Sequence, residues 1–413
     1  MKKILLLILF FFVTLFIGNK NPYLIDVPKK YIKFFLKKVN IIENFAVDKD
    51  TIQLTEKEKY INVDKNELVI DGNSFSLILK KNINFDERTA GFFIDNSDAS
   101  NLKFEIFLQN GLLIESNSTK EIYLPKDIFF NKNGGLKTVF TVDNKKFALS
   151  TNKKLNCFYA AIYEIQKQKT YMKTKCLPDG ENVDFNGIGG AMIEKDNYIY
   201  LSIGAPEWNS KPIRKLAQNK DYLYGKIIKI NKKDLLSNNK NLLQPEIFTI
   251  GHKNPQGLVH EEGNLFSIEH GPQGGDEINL LINKKNYGWP AVSYGTEYSN
   301  GESFAKHEKK YQKPLFAFLP SIAPSSINKC PKNLKRYYKD DICLMFLTLR
   351  DMSLYVILID KLKLNIISHE KFLIEKRLRH FGQKNNKLFE KGNTFFISAD
   401  GDGIFSAKFD YFR

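Results

Sequence analysis

The chain has 413 residues, 43% of them hydrophobic and 13% aromatic, with 33 Phe and 19 Tyr. That excludes a disordered chain, provides for a large core and favours strands over helices. The formal net charge is +16, from 62 basic and 46 acidic residues. Lys and Asn are spread along the whole length and no nucleic-acid motif accompanies them, so the charge does not point to a nucleic-acid partner.

In chain order, two lysines precede an apolar run from Ile4 to Ile17. Residues 1–20 therefore read as a secretory signal peptide or an uncleaved anchor. The run is short for a membrane-spanning helix, which needs about 20 apolar residues. The rest of the chain is then exported, to a periplasmic or extracellular location, and touches a membrane only through that segment if it is retained. Residues 21–60 are charged and mixed, a linker or peripheral segment with a short helix around Tyr31–Val39.

From residue 61 to 413 the pattern is strand after strand. Candidates are Glu67–Ile70, Ser74–Leu79, Phe104–Leu108, Leu112–Glu115, Thr138–Val142, Lys146–Ser150, Cys157–Glu164, Ala191–Ile193, Tyr198–Ile203, Lys226–Ile230 and Asn264–Ile268. Later come Ile342–Leu347, Ser353–Ile359, Lys363–Ile367, Lys387–Phe389, Thr394–Ser398 and Gly403–Phe409. Most are short, and polar turns such as Asn110–Gly111, Asp143–Asn144 and Asp196–Asn197 separate them. This is the signature of a meandering all-β fold. The segments IEKDNYIYLSIG, VHEEGNLFSIEHG and FEKGNTFFISADG share one spacing and read as equivalent hairpins. Their following loops would then line a common site.

Cys157 and Cys176 flank a hairpin whose turn lies near Gln166–Lys167. A turn there sets the two opposite one another, so in an exported chain they are expected to form a disulfide. Cys330 and Cys343 could form a second bridge. Free buried thiols are the alternative for both pairs.

Residues 251–290 read GHKNPQGLVHEEGNLFSIEHGPQGGDEINLLINKKNYGWP. This stretch resembles the soluble pyrroloquinoline quinone (PQQ)-dependent glucose, aldose-sugar and sorbosone dehydrogenases, whose members read close to G-H-R-N-P-Q-G, E-H-G-P-x-G-G-D-E-I-N and N-Y-G-W-P. The resemblance implies a six-bladed β-propeller binding PQQ and Ca²⁺, with a sugar or polyol as substrate and an external electron acceptor. It places the cofactor-side Ca²⁺ on the carbonyls of Gly271 and Pro272. It places Lys253 and Asn254 at the quinone end, with Lys where the family has Arg. Arg350, in Thr348-Leu349-Arg350, stands for a further cation. Arg377 and Arg379 match an R-x-R pair that grips the PQQ carboxylates. Asp276 and Glu277 are expected to fix their loop through backbone N–H groups, Trp289 to pack in the core, and Arg214, Gln218, Gly225 and Lys226 to be structural.

One departure concerns the base. The family takes the substrate's hydroxyl proton with a His, and that position falls on Asn186. The six histidines are 252, 260, 270, 307, 369 and 380, so none precedes residue 252. Asn is no general base at neutral pH. Asp184 would serve if burial raised its pKa. The other reading is a propeller that has lost turnover and acts as a binding or interaction module.

Overall fold

The computed structural model describes residues 67–97, 102–115, 118–237 and 241–411. The signal or anchor segment and the short helix around Tyr31–Val39 lie outside the described residues. No helix among the described residues is long and apolar enough to cross a membrane.

Six sheets form six blades, antiparallel throughout except where the short strand Gln383–Lys384 adds in parallel to blade 1. Blade 1 has the strands Thr89–Asp95, Lys103–Leu108, Leu112–Glu115 and Ser118–Glu121. Blade 2 has Leu136–Val142, Lys145–Lys154, Cys157–Glu164 and Lys169–Lys173; blade 3 has Gly189–Lys195, Tyr198–Ile203, Lys226–Asn231 and Glu246–Ile250. Blade 4 has Asn254–Glu261, Asn264–His270, Asp276–Leu281 and Phe316–Phe318; blade 5 has Pro324–Lys329, Asp341–Thr348, Ser353–Asp360 and Ile366–Leu373. Blade 6 joins the two ends of the described chain. Leu378–Phe381, Thr394–Ala399 and Gly403–Tyr411 pair onward with Phe75–Ile83 and Glu67–Asp71. The first strand of each blade touches the first strands of both neighbours, and the contact between blades 6 and 1 closes the ring. The expected six-bladed propeller is therefore the observed fold. Closing the ring through one mixed blade removes two of the edges an open sheet would leave.

The core explains why so many strands read as nearly continuous apolar runs. Successive side chains on a strand point to opposite faces, and every blade has a neighbour on each face. In blade 1, Ile106 and Leu108 pack against Phe396 and Ile404 of blade 6, while Phe107 packs with Val139 and Tyr163 of blade 2. Similar apolar clusters lie between blades 2 and 3, 3 and 4, 4 and 5, and 5 and 6. Two disulfides pin the edges. Cys157 joins Cys176 across the blade 2 hairpin, whose pairing of Glu164 with Lys169 centres the turn on Gln166–Lys167 as expected. Cys330 joins Cys343 between the first two strands of blade 5.

Strand direction alternates within each blade. The loop entering a first strand and the loop joining the second and third strands therefore open on the same end of the channel. Two of the three expected equivalent hairpins are first-and-second-strand hairpins, in blades 3 and 4. The third differs. The inner strand of blade 6 is Leu378–Phe381, and Lys387–Leu388 belongs to a small hairpin attached to the first strand of blade 1. Its loop after the second strand still opens on the shared end.

Candidate active site

Blade 3 leads into blade 4 through Gly251-His252-Lys253-Asn254. Gly251 has φ +80°, and a Cβ there would lie 2.2 Å from Asn286 Oδ1, so only glycine fits. His252 is fully buried. Its Nδ1 meets Glu269 Oε1 at 2.9 Å, its Nε2 meets Thr249 Oγ1 at 2.9 Å, and its ring stacks on Tyr287. Glu269 also accepts the Lys253 backbone N–H at 3.0 Å. The histidine is a brace for the turn, and the Lys253 side chain is what the turn presents. Lys253 Nζ lies 5.7 Å from the Trp289 ring centre and 5.9 Å from that of Tyr298, and burial pushes its pKa down.

Asn254 is occupied by the scaffold. Its Oδ1 accepts Gly189 N–H at 3.0 Å and Gln256 Nε2 at 2.7 Å, and its Nδ2 donates to Asn186 O at 3.2 Å. It fixes the segment that carries Asp184 and Asn186.

The second-to-third-strand loop of blade 4 carries Gly271 and Pro272. A Cβ on Gly271 would lie 2.2 Å from Gly275 O, so the loop is folded tightly on itself. Asp276 organises it as expected. Its Oδ1 accepts Gly271 N–H at 2.9 Å, and its Oδ2 accepts Ile322 N–H at 2.8 Å and Ala323 N–H at 2.7 Å. Glu277 departs from expectation. It bonds Asn279 Nδ2 at 3.1 Å and faces a small cavity lined also by Glu269, Gly271, Pro272 and Tyr287. Burial, and then the Glu269 carboxylate, push its pKa well up. Side-chain packing sends it inward because it neighbours Asp276 on a strand, where alternate residues face opposite ways. Among the described residues, no group of three or more His, Cys, Asp or Glu side chains could hold a metal. A cation here would rely on backbone carbonyls, an all-oxygen set suited to Ca²⁺ but far short of the six to eight ligands it takes. The rest would come from a bound ligand and water.

Asp184 caps the short turn Phe185–Gly187. Its Oδ1 accepts Asn186 N–H at 2.9 Å and Asn133 Nδ2 at 3.0 Å. It is half-buried, so the full burial that would favour it as a base is not met. Asn186 is exposed, and Arg88 Nη1 reaches its Oδ1 at 3.4 Å. His270 is no substitute base, because its Nε2 meets Pro324 O at 2.8 Å and its Nδ1 faces Asn254 Nδ2 at 3.3 Å.

The arginine pair splits. Arg379, on the blade 6 inner strand, holds Asp400 through two bonds, Nε at 2.5 Å and Nη2 closer. Arg377 donates to Leu349 O at 3.3 Å, beside the loop that carries the exposed Arg350. Burial and nearby Arg379 and Arg88 lower the Arg377 pKa.

Two cations at the same mouth escaped the sequence reading. Arg88 precedes the inner strand of blade 1. Lys137 sits on that of blade 2, donates to Asn133 O at 2.6 Å, and has its pKa pulled down to about 7 by burial, then by Arg379 and Arg88. Arg214, Gln218, Lys226 and Trp289 are structural as expected. Lys226 is fully buried and donates to Leu216 O, Ala217 O and Tyr224 O at 2.7–2.9 Å. On the side formed by blades 1, 2 and 6, four cations, Arg88, Lys137, Arg377 and Arg379, thus stand against two named carboxylates, Asp184 and Asp400, and a ligand with several carboxylates suits it.

A family model described as glucose/sorbosone dehydrogenase matches residues 115–403. The aldose sugar dehydrogenase YliI of Escherichia coli is 34% identical over 157 residues, which is 34% of this chain and 40% of that protein. The match therefore spans well under two thirds of that relative. In overall fold, the chain is similar to the apo form of the soluble aldose sugar dehydrogenase of Escherichia coli, with TM-score 0.64 and 18% identity over 80% of this chain and 99% of the other. It is also similar to a PQQ-bound aldose sugar dehydrogenase from Streptomyces coelicolor, with TM-score 0.56 and 17% identity over 82% and 99%.

Proposed function

The chain belongs to the glucose/sorbosone dehydrogenase family, and from that premise we propose that it binds PQQ and Ca²⁺ at the channel mouth and oxidises a hydroxyl of a sugar or polyol. An external acceptor takes the electrons onward. The observation that carries this reading is the cluster of Arg88, Lys137, Arg377 and Arg379 at the mouth, where the half-buried Lys137 donates to a backbone carbonyl and has its pKa lowered to about 7 by burial, then by Arg379 and Arg88. Such a site is electrostatically unfavourable by itself and favourable around a polycarboxylate. The residues fit the cofactor on that ground.

Lys253, Arg350, Arg377 and Arg379, with Arg88 and Lys137, are the groups we assign to hold its carboxylates. Gly271 and Pro272 are assigned two of the oxygens around Ca²⁺. When bound, PQQ supplies a two-electron acceptor and Ca²⁺ the Lewis acid that polarises it. Asp184 is assigned to take the substrate's hydroxyl proton at a carboxylate oxygen. Asn186, in the place of the family's His, orients Arg88. We also read the protein as exported, periplasmic or extracellular, with residues 1–20 as signal or anchor, 21–60 as linker and 61–413 as propeller. The two disulfides support export.

One observation favours a second reading. Asp184 is only half-buried and no His occupies position 186, so a propeller that binds its ligand without turnover has the same structure. Spectroscopic titration of the Ca²⁺-loaded apoprotein with PQQ, followed by dye reduction across sugars, separates the two. Saturable PQQ binding with sugar-dependent dye reduction supports the dehydrogenase. Binding without reduction supports the module, and no binding overturns the site assignment.

A further inference from the structure

We propose that Trp208 and Tyr298 form a ledge at the channel mouth on which a sugar ring of the substrate stacks, an inference that rests on the dehydrogenase reading. The two rings stack with centroids 5.7 Å apart and planes 16° from parallel, yet they are 59% and 46% exposed. A single exposed aromatic needs no explanation. This pair is different because the surrounding structure is built to hold it.

The residue before each aromatic is a glutamate, and one arginine grips both. Arg214 Nε meets Glu207 Oε1 at 3.0 Å, and its Nη1 meets Glu297 Oε1 at 2.5 Å. The Arg214 and Glu207 side chains are almost wholly buried. Burying such charges is costly unless they are paired and bonded. The clamp fixes the long loop of blade 3, which carries Trp208, against the long excursion of blade 4, which carries Tyr298.

Both sides of the ledge reach the site. Trp208 N–H donates to Asn182 O at 2.9 Å, and Asp184 N–H donates to Pro206 O at 3.3 Å. The Trp208 loop therefore lies along the segment that carries Asp184. On the other side, Thr296 and Gln273 exchange backbone bonds of 2.9 and 3.0 Å, tying the Tyr298 excursion to the Gly271–Pro272 loop. Lys253 Nζ stands 5.9 Å from the Tyr298 ring.

A sugar ring has a C–H-rich face and a rim of hydroxyls. The face covers apolar aromatic surface, and the rim can bond charged neighbours. A preformed aromatic ledge between a proton acceptor and a cation cluster matches that amphipathic shape.

The test uses the chain's two tryptophans. Trp289 is buried in the scaffold, so in Trp289→Phe the emission reports Trp208 alone. The Ca²⁺-loaded apoprotein is titrated with glucose, galactose, xylose and maltose. The clamp preforms the ledge, so at least one sugar should change the emission saturably, with apparent affinity weakened in Tyr298→Ala. If Trp289→Phe does not fold, the wild type is titrated with Trp208→Phe as the blank. In the PQQ-loaded protein, Trp208→Ala should raise KM about three- to tenfold with kcat retained, the range of one aromatic contact. Emission unmoved by all four sugars overturns the ledge, and so does an unchanged KM in Trp208→Ala. A protein that responds to sugar but binds no PQQ keeps the ledge and loses the dehydrogenase reading.

Discussion

On the blade 3 and 4 side of the mouth, most charges are met by fixed partners, with Lys253 the exception. Arg214 has Glu207 and Glu297, His252 has Glu269, and Asp276 accepts Gly271, Ile322 and Ala323 N–H groups. On the side formed by blades 1, 2 and 6, Lys137 donates to a backbone carbonyl, Arg88 reaches an uncharged Asn186, and Arg377 reaches the Leu349 carbonyl. The first side spends its polar groups on shape. The second leaves cations in one another's field, which is unfavourable until an anion arrives. Arg379 belongs to both, since it is paired with Asp400 and is also the largest electrostatic neighbour lowering Lys137.

The sharpest break in this contrast is at Asn186, on the second side. Asn186→His places a titratable ring between Arg88 and Asp184, at the position where the resemblance puts the family's base. Turnover in dye reduction should rise by about 10²–10⁴, the usual worth of a positioned general base, with PQQ affinity little changed. A variant that binds PQQ but stays inactive would favour the binding module.

Arginine substitutions on the two sides should fail differently. Arg214→Ala strands Glu207 in a buried place and should cost about 3–5 kcal/mol of stability, as broken buried pairs do. PQQ affinity of the molecules that remain folded should be retained. Arg377→Ala with Arg379→Ala should instead weaken PQQ binding at least tenfold, since charge-assisted bonds are worth about 1.5–3 kcal/mol each. Urea melts and PQQ titration of the same samples check both. Unchanged PQQ affinity in the folded double variant would remove the pair from the ligand site. Asp400 also loses its partner in that variant, so some loss of stability is expected there too.

The sequence made the middle strands of the blades legible and left several inner ones hidden. Tyr198–Ile203 and Ser353–Asp360 are packed on both faces, so they read as apolar runs. Thr89–Asp95, Pro324–Lys329 and Leu378–Phe381 border the channel and carry Gly91, Pro324, Ser325 and Arg379, so their period is broken. The same division holds in the site. The 251–290 loops stood out because motif and turn chemistry are local. Arg88 and Lys137 are two of 62 basic residues, and nothing local distinguishes them. Only ring closure brings blades 1, 2 and 6 together, and that is a long-range fact. Trp208 and Tyr298 were hidden for the same reason, since their link is the Arg214 clamp.

Lys137 gives the contrast a pH signature. Burial, then Arg379 and Arg88, pull its pKa down to about 7. A bound polycarboxylate favours its charged form and raises that value, so ligand binding takes up a proton whenever Lys137 starts neutral. Below about pH 7 the lysine is already charged and affinity should be flat. Above it the proton must be acquired, and PQQ binding should weaken by up to about tenfold per pH unit, until the bound-state pKa is reached. Lys137→Met removes the titrating group. It should bind more weakly at pH 6 and lose most of the pH slope between pH 7 and 9. On the Arg214 side burial also lowers Lys253 and brings Lys226, held by three backbone carbonyls, to about 7, so a slope that survives in Lys137→Met would place the proton on that side and break the distinction between the two. The measurement is PQQ titration at fixed ionic strength from pH 6 to 9, because screening by salt would otherwise mimic a change in charge.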